Sequence, residues 1–274
     1  MIIKTLSENT SVSDDFGCEH GLSLYIETEK HKILFDTGAS GLFAKNAERM
    51  GVELQNVDIA VISHDHYDHG GGLATFMALN STADIYISRE AFSERFAVDP
   101  AGEKKYIGLN GHLLPSSRFI ETCGHTVIDG ELELFSGVHG EKLNPTGNRD
   151  LLMVRSGQLV PDDFAHEQNL VIKENGHVVL IAGCAHNGII NIIEHMMTSG
   201  YGMPSHVVGG FHLYNKSADR DEEPGLVRRI GTHLNNTQAK YYTCHCTGIG
   251  SYNVLKEVMG DGIGYLSAGS QIII

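Results

Sequence analysis

Ser63-His64-Asp65-His66-Tyr67-Asp68-His69, running into Gly70-Gly71-Gly72, puts three imidazoles and two carboxylates within six residues, directly after the apolar run Val57 to Ile62. A short apolar run of this kind reads as a buried strand, and a buried strand delivers the next residues of the chain to its C-terminal edge. His64 and His66 are two apart, so in an extended segment both side chains point the same way and can share one ion. Asp68 and His69 fall where the chain turns into the glycines and can face a second ion beside the first. The plainer reading, a polar loop with incidental histidines, leaves that density unexplained, whereas fixing several donors around a divalent ion accounts for it.

The bulk numbers narrow the setting. A chain of 274 residues with 41% hydrophobic and 20% charged residues is long enough to bury a substantial core and has an ordinary globular composition. A formal net charge of -14 disfavours nucleic acid as a partner, because backbone binding needs a basic surface to displace counterions. A small-molecule substrate is expected instead. Met1-Ile2-Ile3-Lys4-Thr5 turns polar too soon for a signal peptide, and no apolar run approaches the roughly twenty residues that span a bilayer. The expectation is a cytoplasmic protein with no membrane partner. Five cysteines, Cys18, Cys123, Cys184, Cys244 and Cys246, are an odd number for a disulfide framework and point to free or metal-bound thiols.

Upstream of the histidine cluster, Leu22, Leu24 and Ile26 share one face of a strand, and Lys32 to Phe35 forms its hairpin partner, ending in Asp36-Thr37-Gly38. Asp36 is either a turn former or an acceptor beneath the cluster that fixes an imidazole. His20 is a substrate contact or a loop histidine. Residues 39–50 and 73–79 read as helices and 83–87 as a strand, a punctuation that favours layered α/β structure.

From about 90 to 165 the pattern weakens around Pro100, Pro115, Pro145 and Pro161. This stretch is expected to be a loop-rich insertion acting as a lid or substrate-shaping region within a single domain spanning 1–274. Asp162, Asp163, His166 and Glu167 close it, as a polar face or as ligands. Three later strands repeat the design of the first cluster: 178–182 runs into Gly183-Cys184-Ala185-His186, 207–212 ends in His212, and 240–243 runs into Cys244-His245-Cys246. His195 and His233 sit within helix patterns, at the core edge or on the surface. Cys244 and Cys246 have one residue between them, not the usual two of a metal knuckle, and no second cysteine pair accompanies them. His245 between them is the stronger ligand candidate.

Phe35-Asp36-Thr37-Gly38, His64-x-His66-x-Asp68-His69 and the later strand-end histidines together resemble the metallo-β-lactamase superfamily. Gly183-Cys184-Ala185-His186, Gly209-Gly210-Phe211-His212-Leu213 and His245-Cys246-Thr247-Gly248 are similar to its branch related to dihydropteroate synthase, which includes synthases joining a dihydropterin to a ribofuranosylaminobenzene phosphate. The resemblance implies an α/β fold, a four-layer αββα sandwich, with a dinuclear centre at the edge where both sheets end. It implies two divalent metal ions, zinc first, with manganese or iron as alternatives. His64 and His66 would hold the first ion, Asp68, His69 and His245 the second, and Asp36 would support them. Where the superfamily usually has a bridging Asp this chain has Cys184. His186 is the choice to complete the first site, with His166 as its rival, and His20, His166 and His212 are candidate substrate contacts.

Two such ions activate water near neutral pH and steady a developing oxyanion. The expected function is therefore a metal-dependent hydrolase, or a related transferase, acting on a small, phosphorylated or pterin-like substrate, with Asp68 orienting the nucleophile. A metal-binding sensor without turnover and a diiron redox enzyme are the alternatives.

Overall fold

A computed structural model describes residues 1–114 and 116–274. Pro115, one of the prolines that suggested a loop-rich insertion, lies outside the described residues. The chain opens with β1 (Ile2–Ser7), β2 (Ser23–Glu27), β3 (Lys32–Phe35), α1 (Leu42–Arg49), β4 (Ile59–Val61), the single turn α2 (Tyr67–Gly70), α3 (Leu73–Leu79) and β5 (Asp84–Ser88). Then come β6 (Arg95–Val98), β7 (Lys104–Tyr106), β8 (Phe119–Thr122), β9 (His125–Val127), β10 (Leu132–Ser136), β11 (Leu151–Arg155) and β12 (Gln158–Pro161). The last part holds β13 (Gln168–Glu174), β14 (His177–Ile181), α4 (Ile189–Thr198), β15 (His206–Gly209), β16 (Tyr214–Asn215), β17 (Arg220–Asp221), α5 (Pro224–Asn235), β18 (Lys240–Thr243), α6 (Ile249–Met259), β19 (Ile263–Tyr265) and β20 (Gln271–Ile273).

Two seven-stranded sheets result, ordered β20-β1-β2-β3-β4-β5-β8 and β19-β18-β15-β14-β13-β10-β9. Side-chain alternation divides the apolar residues between three compartments. Leu24, Ile26, Ile33 and Phe35 of the first sheet meet Leu170, Ile172, Val179 and Ile181 of the second in a closed middle layer. Leu34, Ala60 and Ile85 face outward onto Phe43 of α1 and Phe76 of α3. Val171, Leu180, Val207 and Tyr241 face outward onto Ile192, Ile230 and Leu255 of α4, α5 and α6. The order of layers is helix, sheet, sheet, helix, and each fully buried Leu, Ile or Phe contributes about 1.5–3 kcal/mol to it.

Strands β3 and β4 run parallel in the first sheet, and β14, β15 and β18 run parallel in the second. Their C-terminal ends therefore collect at one edge of the sandwich, the place where open α/β sheets carry ligands.

The stretch expected to be loop-rich carries seven short strands among longer irregular segments. β8 extends the first sheet, β9 and β10 extend the second, and the other four form a separate antiparallel sheet, β12-β11-β6-β7. Its strands are short, and β7 is exposed throughout, so they leave no apolar alternation to read. β11 and β12 are joined through Ser156 and Gly157, both at positive φ, as a tight hairpin turn requires. The strand expected over 207–212 stops at Gly209, and His212 comes after it on an irregular segment with φ 50°. Among the described residues no helix is long and apolar enough to cross a membrane.

Candidate metal centre

The histidine cluster is shaped by the layer beneath it. Asp36 comes directly after β3 in a left-handed conformation, φ 61°, which an Asp adopts more readily than most residues. Its buried carboxylate accepts hydrogen bonds from the Ser63 amide and hydroxyl, both at 2.7 Å, and pairs with His69 Nδ1 at 2.6 Å. It does not line the cavity above. Asp36 therefore reaches the cavity only through Ser63 and His69, the place of a positioning residue and not of a catalytic one. Asp68 and His69 ride on α2, and the glycines after it permit close passage: a Cβ at Gly72 would lie 2.2 Å from the Thr37 carbonyl oxygen.

Two groups of donors face each other at the sheet edge. In the first, His64, His66 and His186 bring ring nitrogens within 4.8 Å of one another. His64 Nε2 and His66 Nδ1 are 3.1 Å apart, close to the roughly 3.4 Å between two nitrogens sharing a tetrahedral zinc with bonds near 2.1 Å. The far nitrogens of His64 and His186 are held by Ser63 Oγ at 2.9 Å and Asn148 Oδ1 at 3.1 Å, while His186 Nε2 is buried without a partner. Burial and neighbouring imidazoles push His64 and His186 well below the usual range and His66 down to about 3, so all three are neutral and ready to donate a lone pair.

In the second group, His20, Asp68 and His245 cluster within 4.8 Å, with Asp68 Oδ2 at 3.2 Å from His20 Nε2 and 3.3 Å from His245 Nε2. His69 Nε2 lies 3.2 Å from His245 Nε2 and 3.1 Å from Cys184 Sγ, which stands between the groups. Burial works against the Asp68 charge, but His69, His20 and His245 hold its carboxyl well below the ordinary range. These orphaned nitrogens, neutral imidazoles and an ionised carboxylate are a donor set that fits divalent ions.

His166, whose ring lies 5.4 Å from that of His66, keeps a buried Nε2 without a hydrogen-bond partner, as His186 does, but is also drawn into a second cluster. It lies with Asp65, Arg95 and Asp162 in a buried charge cluster, its Nδ1 2.5 Å from Asp65 Oδ1. Arg95 Nε donates to Asp65 Oδ1 at 2.8 Å, and Arg95 Nη1 donates to Asp162 at 3.2 Å. His166 does not line the cavity, unlike His20 and His212. Burial alone would lower His166, but Asp65 and Asp162 raise it to about 9.

Since that value exceeds the ordinary 6.5, the imidazolium contribution to stability is whole below pH 6.5 and is lost as pH rises through about 9. Asp65 and Asp162 are held below the ordinary 3.8, so their contribution is whole above that value and fades as pH falls below it. In metal-free protein, thermal melting against pH should therefore show a loss of Tm above pH 6.5 that His166→Gln abolishes. Parallel profiles for the two proteins would remove the charge from His166.

Several supporting residues carry no signal in the sequence. Glu8 accepts from the His245 amide at 2.6 Å, and Asn9 Oδ1 meets His245 Nδ1 at 2.9 Å. Glu167 accepts from the His186 and Asn187 amides at 2.6 and 3.0 Å and shapes the turn that presents His186. Asp65 and Arg95 are likewise legible only in three dimensions. Ala185, His212 and His245 share the positive φ of Asp36, so four strained backbone positions lie at the centre.

Above the donors lies a cavity of about 630 Å³, walled on one side by residues 97–107 of the small sheet and on the other by Tyr214 to Ser217. Lys104, Lys105 and Lys216 stand around it among Asp99, Glu103 and Asp150, with Tyr67, Tyr106 and Tyr214 also in its lining.

Comparison with known proteins agrees with this architecture. The family described as the metallo-beta-lactamase superfamily matches residues 16–193. The 7,8-dihydropterin-6-methyl-4-(beta-D-ribofuranosyl)-aminobenzene-5'-phosphate synthase of Methanocaldococcus jannaschii is 29% identical, over 98% of this chain and 95% of its own. The crystal structure of a metal-dependent hydrolase of the beta-lactamase superfamily superposes with a TM-score of 0.82 at 29% identity, covering 100% of this chain and 99% of the other. The metallo-beta-lactamase fold protein YhfI of Bacillus subtilis, at 12% identity, shares the fold with a TM-score of 0.59 over 99% of this chain and 98% of its own. With a family match over more than half its length and both sheets ending in a shared set of metal donors, the chain belongs to the metallo-beta-lactamase superfamily.

Proposed function

We propose that this protein is a metal-dependent enzyme that hydrolyses, or transfers a group from, a small anionic substrate of the phosphorylated or pterin-like kind. The observation that carries this reading is the pairing of two donor groups with a cavity whose lining brings Lys104, Lys105 and Lys216 above them. Lys104, Lys105 and Lys216 offer an anion three cationic partners among Asp99, Glu103 and Asp150, and bound ions would add positive charge at the cavity floor. His64, His66 and His186 would hold one ion, and Asp68, His69, Cys184 and His245 the other. When bound, divalent ions supply water activation near neutral pH and polarisation of the scissile group.

The chain's own residues do the rest. Asp68, ionised and aimed at both His20 and His245, accepts a hydrogen bond from the attacking water and aligns it. His20 and His212 line the cavity and each carries a buried Nδ1 without a partner, so they are placed to bind substrate oxygen or pass a proton to the leaving group. Tyr67, Tyr106 and Tyr214 offer flat surface to an aromatic or pterin ring. The small sheet shields this face from water.

A transferase is the second reading. A neighbouring cavity of about 410 Å³ shares His20, Tyr214 and Lys216 with the first, which suits a reaction that brings two substrates together.

Metal analysis and then a turnover panel of phosphomonoesters, phosphodiesters and pterin phosphates test the proposal. Lys216→Ala is expected to raise KM about five- to tenfold for a phosphorylated substrate with little change in kcat, the effect of losing one charged contact of about 1 kcal/mol. A fully metallated protein that turns over only neutral esters would overturn the anionic-substrate assignment.

A further inference from the structure

Cys184 and Cys246 belong to strands that are not neighbours. Cys184 comes after β14, Cys246 comes after β18, and β15 runs between them. They meet because β15 gives way to Gly210, where a Cβ would stand 2.4 Å from Cys246 Sγ. Through that gap Cys246 Sγ comes to 3.5 Å from the Cys184 carbonyl oxygen, and the His212 amide donates to it at 3.2 Å. Any side chain at 210 would close the gap.

The two sulfurs and a ring nitrogen of His245 lie within 4.8 Å of one another, all three residues are buried, and Cys184 Sγ is already 3.1 Å from His69 Nε2. Cys244 takes no part. Its side chain packs in the closed middle layer between the sheets, so the pair that matters is not the one adjacent in sequence.

We propose that Cys246 is a metal ligand alongside Cys184, so that one ion of the centre sits in a paired-thiolate environment built from Cys184, Cys246 and His245. A tetrahedral zinc with bonds of about 2.3 Å to sulfur and about 2.0 Å to nitrogen spans roughly 3.8 Å between sulfurs, so the group, whose donors lie within 4.8 Å of one another, needs its sulfurs to close by at most about 1 Å. Each thiol gives up its proton to solvent as its bond to the ion forms, and the His212 amide steadies the sulfur of Cys246. Paired thiolates select soft or borderline ions, such as zinc, iron(II) or cobalt(II), over magnesium and calcium. The inference rests on the reading that this cluster holds divalent metal, and is independent of which substrate it serves.

The test is cobalt(II) substitution of the full-length protein, read by the near-ultraviolet sulfur-to-cobalt charge-transfer absorption. Wild type and Cys123→Ser are expected to show the full band, and Cys184→Ser and Cys246→Ser about half of it each. Thiol counting on wild-type protein guards against a variant that fails to fold. With zinc bound, only the exposed Cys18 and Cys123 should react with a disulfide reagent, and chelation should add Cys184 and Cys246. An undiminished band in Cys246→Ser, or thiol reactivity that zinc does not change, would overturn the assignment. Should that happen while wild type turns over its substrate, the enzymatic reading stands; a full thiolate band with no turnover leaves this assignment standing and removes the other.

Discussion

Replacing His66 with alanine is expected to strip an ion from the protein and reduce turnover by about a thousandfold or more, since the ion's stabilisation of developing charge is worth several kcal/mol. His66 is neutral across the physiological range, its ordinary value of 6.5 driven down to about 3 chiefly by burial, so it binds an ion without first losing a proton. Its Nδ1 already stands against His64 Nε2 at 3.1 Å. His195 is the matching control. It lies on α4 with its ring stacked on Phe135 at 5.5 Å, on the outer face of the second sheet, and His195→Ala should keep both metal and activity. Metal content by mass spectrometry and turnover on the same preparations decide the matter. If His66→Ala retains its full complement of metal, the donor assignment is wrong.

Asp36→Ala should be the most destabilising single change near the centre, by about 3–5 kcal/mol, because each buried donor left without an acceptor costs about 1–3 kcal/mol. The carboxylate holds three donors, the Ser63 amide, the Ser63 hydroxyl and His69 Nδ1, and alanine would orphan all of them. Metal affinity should fall 10- to 100-fold as well, the usual cost of releasing a ligand from the group that orients it. Asp36→Asn should do less harm, because asparagine tolerates the left-handed backbone and keeps one acceptor oxygen. Denaturant unfolding with metal titration measures both effects. A loss below about 1 kcal/mol for the alanine variant would show that Ser63 and His69 are held by something else.

How far the sequence alone reaches depends on whether a residue's role is local. Strands β2, β3, β13 and β14 carry dense apolar runs and are legible at once, as are the helices that cover the second sheet. So is the His64-to-His69 cluster, whose chemistry sits within six residues. Lys104-Lys105-Tyr106 shows the limit: it forms a strand only because its neighbours in the small sheet supply hydrogen bonds, and its own residues face solvent. The centre divides in the same way. His186 and His245 announce themselves by their place after strands, but Glu8 and Asn9 reach His245 across more than two hundred residues. Spacing alone leaves His166 and His186 as rivals for one position. What distinguishes them is company: His166 is paired through Nδ1 with Asp65, whereas His186 leans on neutral Asn148 and lines the cavity. No periodicity encodes that.

The Arg95 clamp has a consequence for how this chain can change over time. The hairpin that walls the cavity is pinned at one end by Arg95, through Asp65 and Asp162, and at the other by Ile107, whose carbonyl accepts the Tyr67 amide at 2.7 Å. Between those pins, residues 96–106 form an exchangeable cassette. Their side chains can be rewritten to admit a different substrate while the loop carrying His64 and His66 stays where it is, so mutational drift or laboratory selection for new specificity has a segment to act on that is mechanically separate from the chemistry.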